Sequence, residues 1–161
     1  MSVTIHTDLG DIKVELYCEQ CPKAAENFLA LCASGYYDNC KFHRNIKGFL
    51  IQTGDPTGTG KNGKSIWKKV FEDEFREDLK HDSRGVLSMA NNGPDSNNSQ
   101  FFITYAKQPA LDNKYTIFGK VIDGFDTLDE LEKLPVDGKY RPKNTVTIQH
   151  FTIHANPIAA F

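Results

Sequence analysis

Two stretches bring together residue types that could do chemistry without a nucleophile. In FHRNIKGFLIQTGD (42–55), Arg44, Ile46, Leu50 and Gln52 share one parity, so a continuous strand would put a guanidinium and a carboxamide on the same face as aliphatics. Gly48 is expected to interrupt that strand with a bulge or turn, which leaves the side taken by Phe49 open. In SQFFITY (99–105) the alternation is unbroken: Phe101, Ile103 and Tyr105 fall on one face, and Gln100, Phe102 and Thr104 on the other. Together the two stretches could form an apolar dish with an arginine and amides at its rim, a shape that does not by itself name a reaction. Each residue also has a plainer reading. Arg44 alone fits a surface or ion-pairing residue, and Phe49, Phe102 and Leu111 fit a core. His43 adjoins Arg44, but no Ser or Cys is placed to make a triad with it, and it reads as structural. His6, His81, His150 and His154 are scattered and suggest no metal set.

A third stretch, residues 58–65, spells GxxxxGKS, the letters of a phosphate-binding loop. Such a loop leaves a strand directly and opens a helix in a parallel βαβ unit. Here Thr53-Gly-Asp-Pro-Thr57 intervenes, and the chain otherwise reads as hairpins, so the context argues for a flexible glycine loop instead. Cys18 and Cys21 have CxxC spacing, but Cys32 and Cys40 lie eight apart and complete no zinc ribbon. Free thiols and no metal are expected.

The elements that must position these residues follow from periodicity. Val3, Ile5 and Thr7, then Ile12, Val14 and Leu16, alternate around a turn at Leu9-Gly10-Asp11, which predicts an antiparallel hairpin. Pro22 opens a helix with Ala25, Phe28, Leu29 and Cys32 on its apolar face and Gly35 at its end. A second helix is predicted over 126–134, with Phe125, Leu128 and Leu131 as its stripe and Pro135 ending it. Strands are predicted over 42–53, 85–89, 100–105, 115–121 and 146–154, joined by Gly/Asn/Asp/Pro-rich loops. Many short strands with two helices imply a mainly β domain closed into a barrel, since closure removes sheet edges.

With 161 residues, one domain spanning 1–161 is the expectation. The apolar share of 39% and charged share of 25% are those of a chain that folds around a core. Net charge is −2, with Lys and Arg interleaved with Asp and Glu, so neither direct nucleic-acid binding nor an acidic membrane is expected. The opening Met-Ser-Val-Thr-Ile-His-Thr lacks the basic and apolar regions of a signal peptide, which predicts a cytoplasmic or nuclear protein. Nothing argues against a monomer.

The segments FHRNIKGFLIQTGD (42–55), GKNGKSIW (60–67), KVFEDEF (69–75), LKHDSRGVLSMANNGPDSNNSQFFIT (79–104) and FGKVIDG (118–124) strongly resemble cyclophilins, in order and in spacing. The short loop after Asp55 and the endings YRP and TIHANP most resemble the isomerase-like 3 branch of that family. The resemblance implies an eight-stranded antiparallel barrel capped by two α-helices and peptidyl-prolyl cis–trans isomerase activity without a cofactor. It makes residues 58–65 the family's glycine-rich loop. Carried over by residue, it implies Arg44 as the catalytic arginine, with Gln52 and Phe49 beside it. Leu50, Phe102 and Leu111 complete a proline pocket, with Leu50 where the commonest members have Met. Gln100, Gly60, and Ala90 and Asn91 through their backbones, supply polar contacts. Ala110 stands where the best-known members carry Trp, and Tyr115 where they carry His. The first change implies weak cyclosporin A binding. The implied partners are proline-containing peptides and proteins, with spliceosomal proteins suggested by the branch. The alternative is a non-catalytic proline-peptide binding module within a larger assembly.

Overall fold

Inward-facing side chains of eight short strands decide which way the site residues point. The structure, a computed structural model, describes residues 1–154, so the last seven residues of the expected domain, including the second half of TIHANP, lie outside the described residues. The strands are β1 (Ser2–Thr7), β2 (Gly10–Leu16), β3 (Arg44–Ile46), β4 (Leu50–Thr53), β5 (Val86–Met89), β6 (Phe101–Thr104), β7 (Ile117–Asp123) and β8 (Ile148–His154). They form one antiparallel sheet in the order β3-β4-β6-β5-β7-β2-β1-β8. The sheet curls so that its ends approach, but β3 and β8 share no ladder. The seam is bridged just outside them, by Lys41 against Thr147 and by the Phe42 N–H donating to the Val146 carbonyl (3.0 Å). The barrel is thus more loosely closed than a continuous ring of strands.

The first hairpin pairs Val3 with Val14 and Ile5 with Ile12, all buried. Its turn sits at Asp8-Leu9, one residue earlier than the glycine suggested, because Gly10 already pairs with Thr7 as the first residue of β2. Helix α1 (Pro22–Ala33) packs against β7 and β8. Phe28, on its inner face, meets Phe101 edge-on at 5.1 Å and lies 5.2 Å from Phe118 and 5.9 Å from Phe151, plugging the barrel with aromatic rings. Helix α2 (Phe125–Glu132) buries Leu128 and Leu131 against the sheet, while Phe125, its first residue, is exposed and departs from the expected stripe. No described helix is long and apolar enough to cross a membrane.

The predicted strand over 42–53 is two strands. Gly48 adopts φ +77°, a left-handed conformation that costs glycine little, and the chain reverses there. Arg44 lies opposite Gln52, and Ile46 opposite Leu50. Because 44, 46, 50 and 52 are spaced evenly about the turn, the shared face survives the reversal.

Candidate active site

The outward face of β3, β4 and β6 is fixed by what is buried on the inward face. Phe101, Ile103 and Tyr105 belong to the core, so Gln100, Phe102 and Thr104 must point the other way. Asn45 is held inside by the Tyr105 hydroxyl, which donates to its Oδ1 (2.6 Å), and by its own Nδ2, which donates to the Leu131 carbonyl (2.7 Å). With Asn45 locked inward, Arg44 must face outward. The register then places Arg44, Gln52, Phe102 and Ser88 in one row across four strands.

Phe102 and Leu50 are 2% and 4% exposed, yet neither belongs to the core cluster, so loops cover them from outside. Tyr115 meets Phe102 edge-on at 5.5 Å and 83°. Leu111 lies on a single 3₁₀ turn, Pro109–Leu111, and is half-buried, while Ala110 on the same turn is exposed. Half-buried Phe49 follows Gly48, whose carbonyl accepts a bond from Gln108 Nε2 (3.1 Å), joining the two loops. Phe102 and Tyr115 thus form an apolar surface beside the Arg44 row; Leu50 lies two residues from Gln52 on β4, and Phe49 and Leu111 lie on the two joined loops.

A polar groove of about 360 Å³ adjoins this surface. Gln52, Gly60, Ala90, Asn91 and Gln100 line it, whereas Phe49, Leu50, Phe102 and Leu111 do not. The open volume thus lies alongside the apolar surface rather than over it. Gln52 Nε2 donates to Gln100 Oε1 (2.9 Å), and Gln100 Nε2 donates to the carbonyls of Gly60 (3.0 Å) and Asn62 (2.8 Å). This chain ties the sheet to the glycine-rich loop. The Asn91 backbone N–H and carbonyl have no partner among the described residues and remain open to a ligand. The Gly60 N–H is taken by Asp55, while its carbonyl accepts from Gln100 and keeps a second lone pair. At Gly60 φ is +83° and a Cβ would stand 2.9 Å from His43 Cδ2, so the position requires glycine. Gln52 bonds Gln100, not the guanidinium. Arg44 is exposed, and its guanidinium has no hydrogen bond or ion pair among the described residues.

The glycine-rich loop is organised by an anion of its own. Fully buried Asp55 accepts bonds from the Gly60 N–H (2.8 Å) and Asn62 N–H (3.1 Å) on Oδ2, and from the Thr57 N–H and hydroxyl (2.8 Å each) on Oδ1. The amides a phosphate would need are already bonded to a carboxylate, and no helix follows Ser65. All four cysteines are free. Cys21 donates its thiol to the Ile117 carbonyl (3.0 Å), and burial pushes the Cys21 and Cys40 thiols up to about 12. No three His, Cys, Asp or Glu side chains cluster to hold a metal ion among the described residues.

One supporting pair escaped the sequence. His81 is fully buried and stacks on Phe102 at 6.0 Å and 17°. Its Nδ1 lies 2.8 Å from Asp112 Oδ1 and its Nε2 3.1 Å from Ser88 Oγ. Burial holds His81 below its ordinary 6.5 in spite of Asp112, so near neutral pH the contact is a hydrogen bond and not an ion pair. Burial acts to raise Asp112, but bonds from the His81 N–H and ring outweigh it and hold the carboxyl low. In both cases the unfolded chain takes up a proton that the fold resists. The His81 contribution is therefore present above the ordinary His value and is lost as pH falls below it, whereas that of Asp112 is lost only below the ordinary carboxylate range. Denaturant midpoints should be level from pH 8 to 7 and drop between pH 6.5 and 5, less steeply in His81→Gln. A midpoint that holds or rises down to pH 5 would contradict this.

Comparison with known proteins settles the family. The model for cyclophilin type peptidyl-prolyl cis-trans isomerase/CLD matches residues 2–153. The chain is a cyclophilin. It is 72% identical over 160 residues to mouse peptidyl-prolyl cis-trans isomerase-like 3, covering 99% of both chains. It is 65% identical over 159 residues to Arabidopsis thaliana peptidyl-prolyl cis-trans isomerase CYP18-1, again covering 99% of both. Among solved structures, the Cryptosporidium parvum cyclophilin type isomerase in the presence of the dipeptide Ala-Pro superposes with a TM-score of 0.95. That match has 56% identity and covers 97% of this chain and 100% of the other. The cyclophilin fold, with its eight antiparallel strands and two helices, is therefore the frame in which Arg44 and Phe102 are set.

Proposed function

We propose that this cyclophilin accelerates rotation about X–Pro peptide bonds in protein substrates, with Arg44 as the catalytic group. The reaction breaks no bond to carbon. Its barrier of ~18–20 kcal/mol reflects the partial double bond between carbonyl carbon and nitrogen. Catalysis requires only that the twisted amide be bound better than either planar form. The observation that carries the reading is the row Arg44–Gln52–Phe102, which sets a guanidinium next to an apolar surface on one sheet face. Phe49, Leu50, Phe102 and Leu111 hold the pyrrolidine ring, and Tyr115 closes one side. The free backbone groups of Asn91 fix the preceding residue, next to Ala90. Arg44 donates to the prolyl nitrogen as it pyramidalises, which keeps the nitrogen lone pair out of resonance with the carbonyl. Gln52 Oε1, left without a described partner on the residue paired in register with Arg44, would accept from the guanidinium. In the free protein Arg44 faces water. The covering substrate supplies the exclusion of water that strengthens the bond.

The substrate class is supported by the Cryptosporidium relative, whose structure was solved in the presence of the dipeptide Ala-Pro. A protease-coupled assay on an Ala-Pro peptide tests the reading. Turnover well above the uncatalysed rate is expected, whereas binding without turnover would favour a proline-peptide binding module. On the branch resemblance, the setting is nuclear or cytoplasmic among spliceosomal proteins, with the chain acting as a monomer.

Cyclosporin A should bind weakly, because exposed Ala110 offers little surface where other family members have an indole. Ala110→Trp is expected to tighten binding by about tenfold or more, since burying an aromatic side chain is worth ~1.5–3 kcal/mol. Equal affinities by titration calorimetry would contradict the role of Ala110.

A further inference from the structure

The groove beside the apolar surface presents six carboxamide side chains, one hydroxyl and a single charge, Lys61. Most of these polar groups are already committed. Asn62 Nδ2 donates to Thr57 and Thr59, Asn91 Nδ2 to the Lys114 carbonyl (2.8 Å), and Ser96 Oγ to the Gly93 carbonyl (2.7 Å). Gln52 and Gln100 bond each other and the loop carbonyls. Three side chains are left without a partner among the described residues: Lys61, Asn92 and Asn98. They comprise an ammonium and two carboxamides that can each turn an NH₂ toward a ligand.

The Lys61 ammonium makes no ion pair among the described residues. Residues 58–70 contain Lys61, Lys64, Lys68 and Lys69 and no Asp or Glu. On the opposite wall the only acid is Asp95. Its carboxylate accepts the Asp73 N–H (2.9 Å), while Asp73 accepts the Asp95 N–H (2.9 Å). Beneath the loop lies one further carboxylate, buried Asp55, whose oxygens accept from Thr57, Thr59, Gly60 and Asn62, so Lys61 is the one charged side chain that lines the groove.

We propose that this groove selects substrates with an acidic side chain, Asp or Glu, on the amino-terminal side of the proline, with Lys61 as the specificity-determining residue. The direction follows from Asn91, which lines the groove and whose free backbone groups are assigned to the residue before proline. This inference rests on the isomerase reading and extends it to a substrate class. A carboxylate accepts from the ammonium and from both free carboxamides, whereas a lysine at that position meets like charge. An exposed pair of this kind contributes modestly, and it also speeds encounter in a salt-dependent way.

The test compares three peptides that differ only in the second residue before proline: Glu, Ala or Lys. Wild-type protein should turn over the Glu peptide about threefold faster in kcat/KM than the Lys peptide at low salt, with the ratio shrinking at 0.5 M NaCl. Lys61→Glu should reverse the order. Lys69→Glu, nearby in sequence but not lining the groove, should keep it. Equal rates for the three peptides in wild type would overturn the inference while leaving the isomerase reading intact. A reversal by Lys69→Glu as large as that by Lys61→Glu would also overturn it, since a diffuse field would then be acting. No turnover of any peptide would remove the isomerase reading and this inference with it.

Discussion

Arg44→Ala is expected to lower kcat/KM for an Ala-Pro peptide by about a hundred- to a thousandfold, the usual cost of deleting one donor aimed at developing charge. Its melting temperature should match wild type, because Arg44 is exposed and makes no described hydrogen bond or ion pair that the substitution would break. Arg44→Lys keeps the charge but not the planar fork, and should recover only part of the rate. Stopped-flow or protease-coupled rates alongside thermal melts check both halves. Wild-type rates in Arg44→Ala would remove the guanidinium from the mechanism.

Asp55→Ala should produce the largest loss of stability among the site's polar residues. The carboxylate is fully buried and accepts from three backbone N–H groups and two hydroxyls, those of Thr57 and Thr59. Deleting it strands these donors, at about 3 kcal/mol in all. For a chain of this size that lowers the melting temperature by roughly 6–12 °C. Asp55→Asn keeps one acceptor and should fall between. Activity should drop as well, because the Gly60 and Asn62 carbonyls that anchor Gln100 belong to the loop Asp55 holds. A melting temperature within 2 °C of wild type in Asp55→Ala would contradict this account of the loop.

What the sequence could reveal was set by periodicity. The alternation through residues 100–105 directly separates Phe101 from Phe102, and the core has the same division. The shared face of Arg44 and Gln52 was also legible, although for a different reason: two strands around Gly48 rather than one. Phe125 has the right type and spacing for a helix stripe, but as the first residue of α2 it lies beyond the buried turn, beside Gly85. The His81–Asp112 bond and the Asp55 hub were not legible in the same way. Polar residues 31 positions apart carry no period, and only the folded loops bring them together. The motif at residues 58–65 is ambiguous for a related reason. The letters of a phosphate loop do not say whether an internal carboxylate already occupies its amides, and here Asp55 does.

Isomerisation is an exchange between two states of one peptide, and nuclear magnetic resonance can observe that exchange at equilibrium. With wild-type protein at a few per cent of the concentration of an Ala-Pro peptide, two-dimensional exchange spectra should show cross-peaks between cis and trans proline signals on a sub-second timescale. Uncatalysed exchange takes tens to hundreds of seconds. Arg44→Ala should still broaden or shift the peptide signals on binding but give no cross-peaks. Cross-peaks of equal intensity with Arg44→Ala, or none with wild type despite clear binding shifts, would contradict catalysis by this guanidinium.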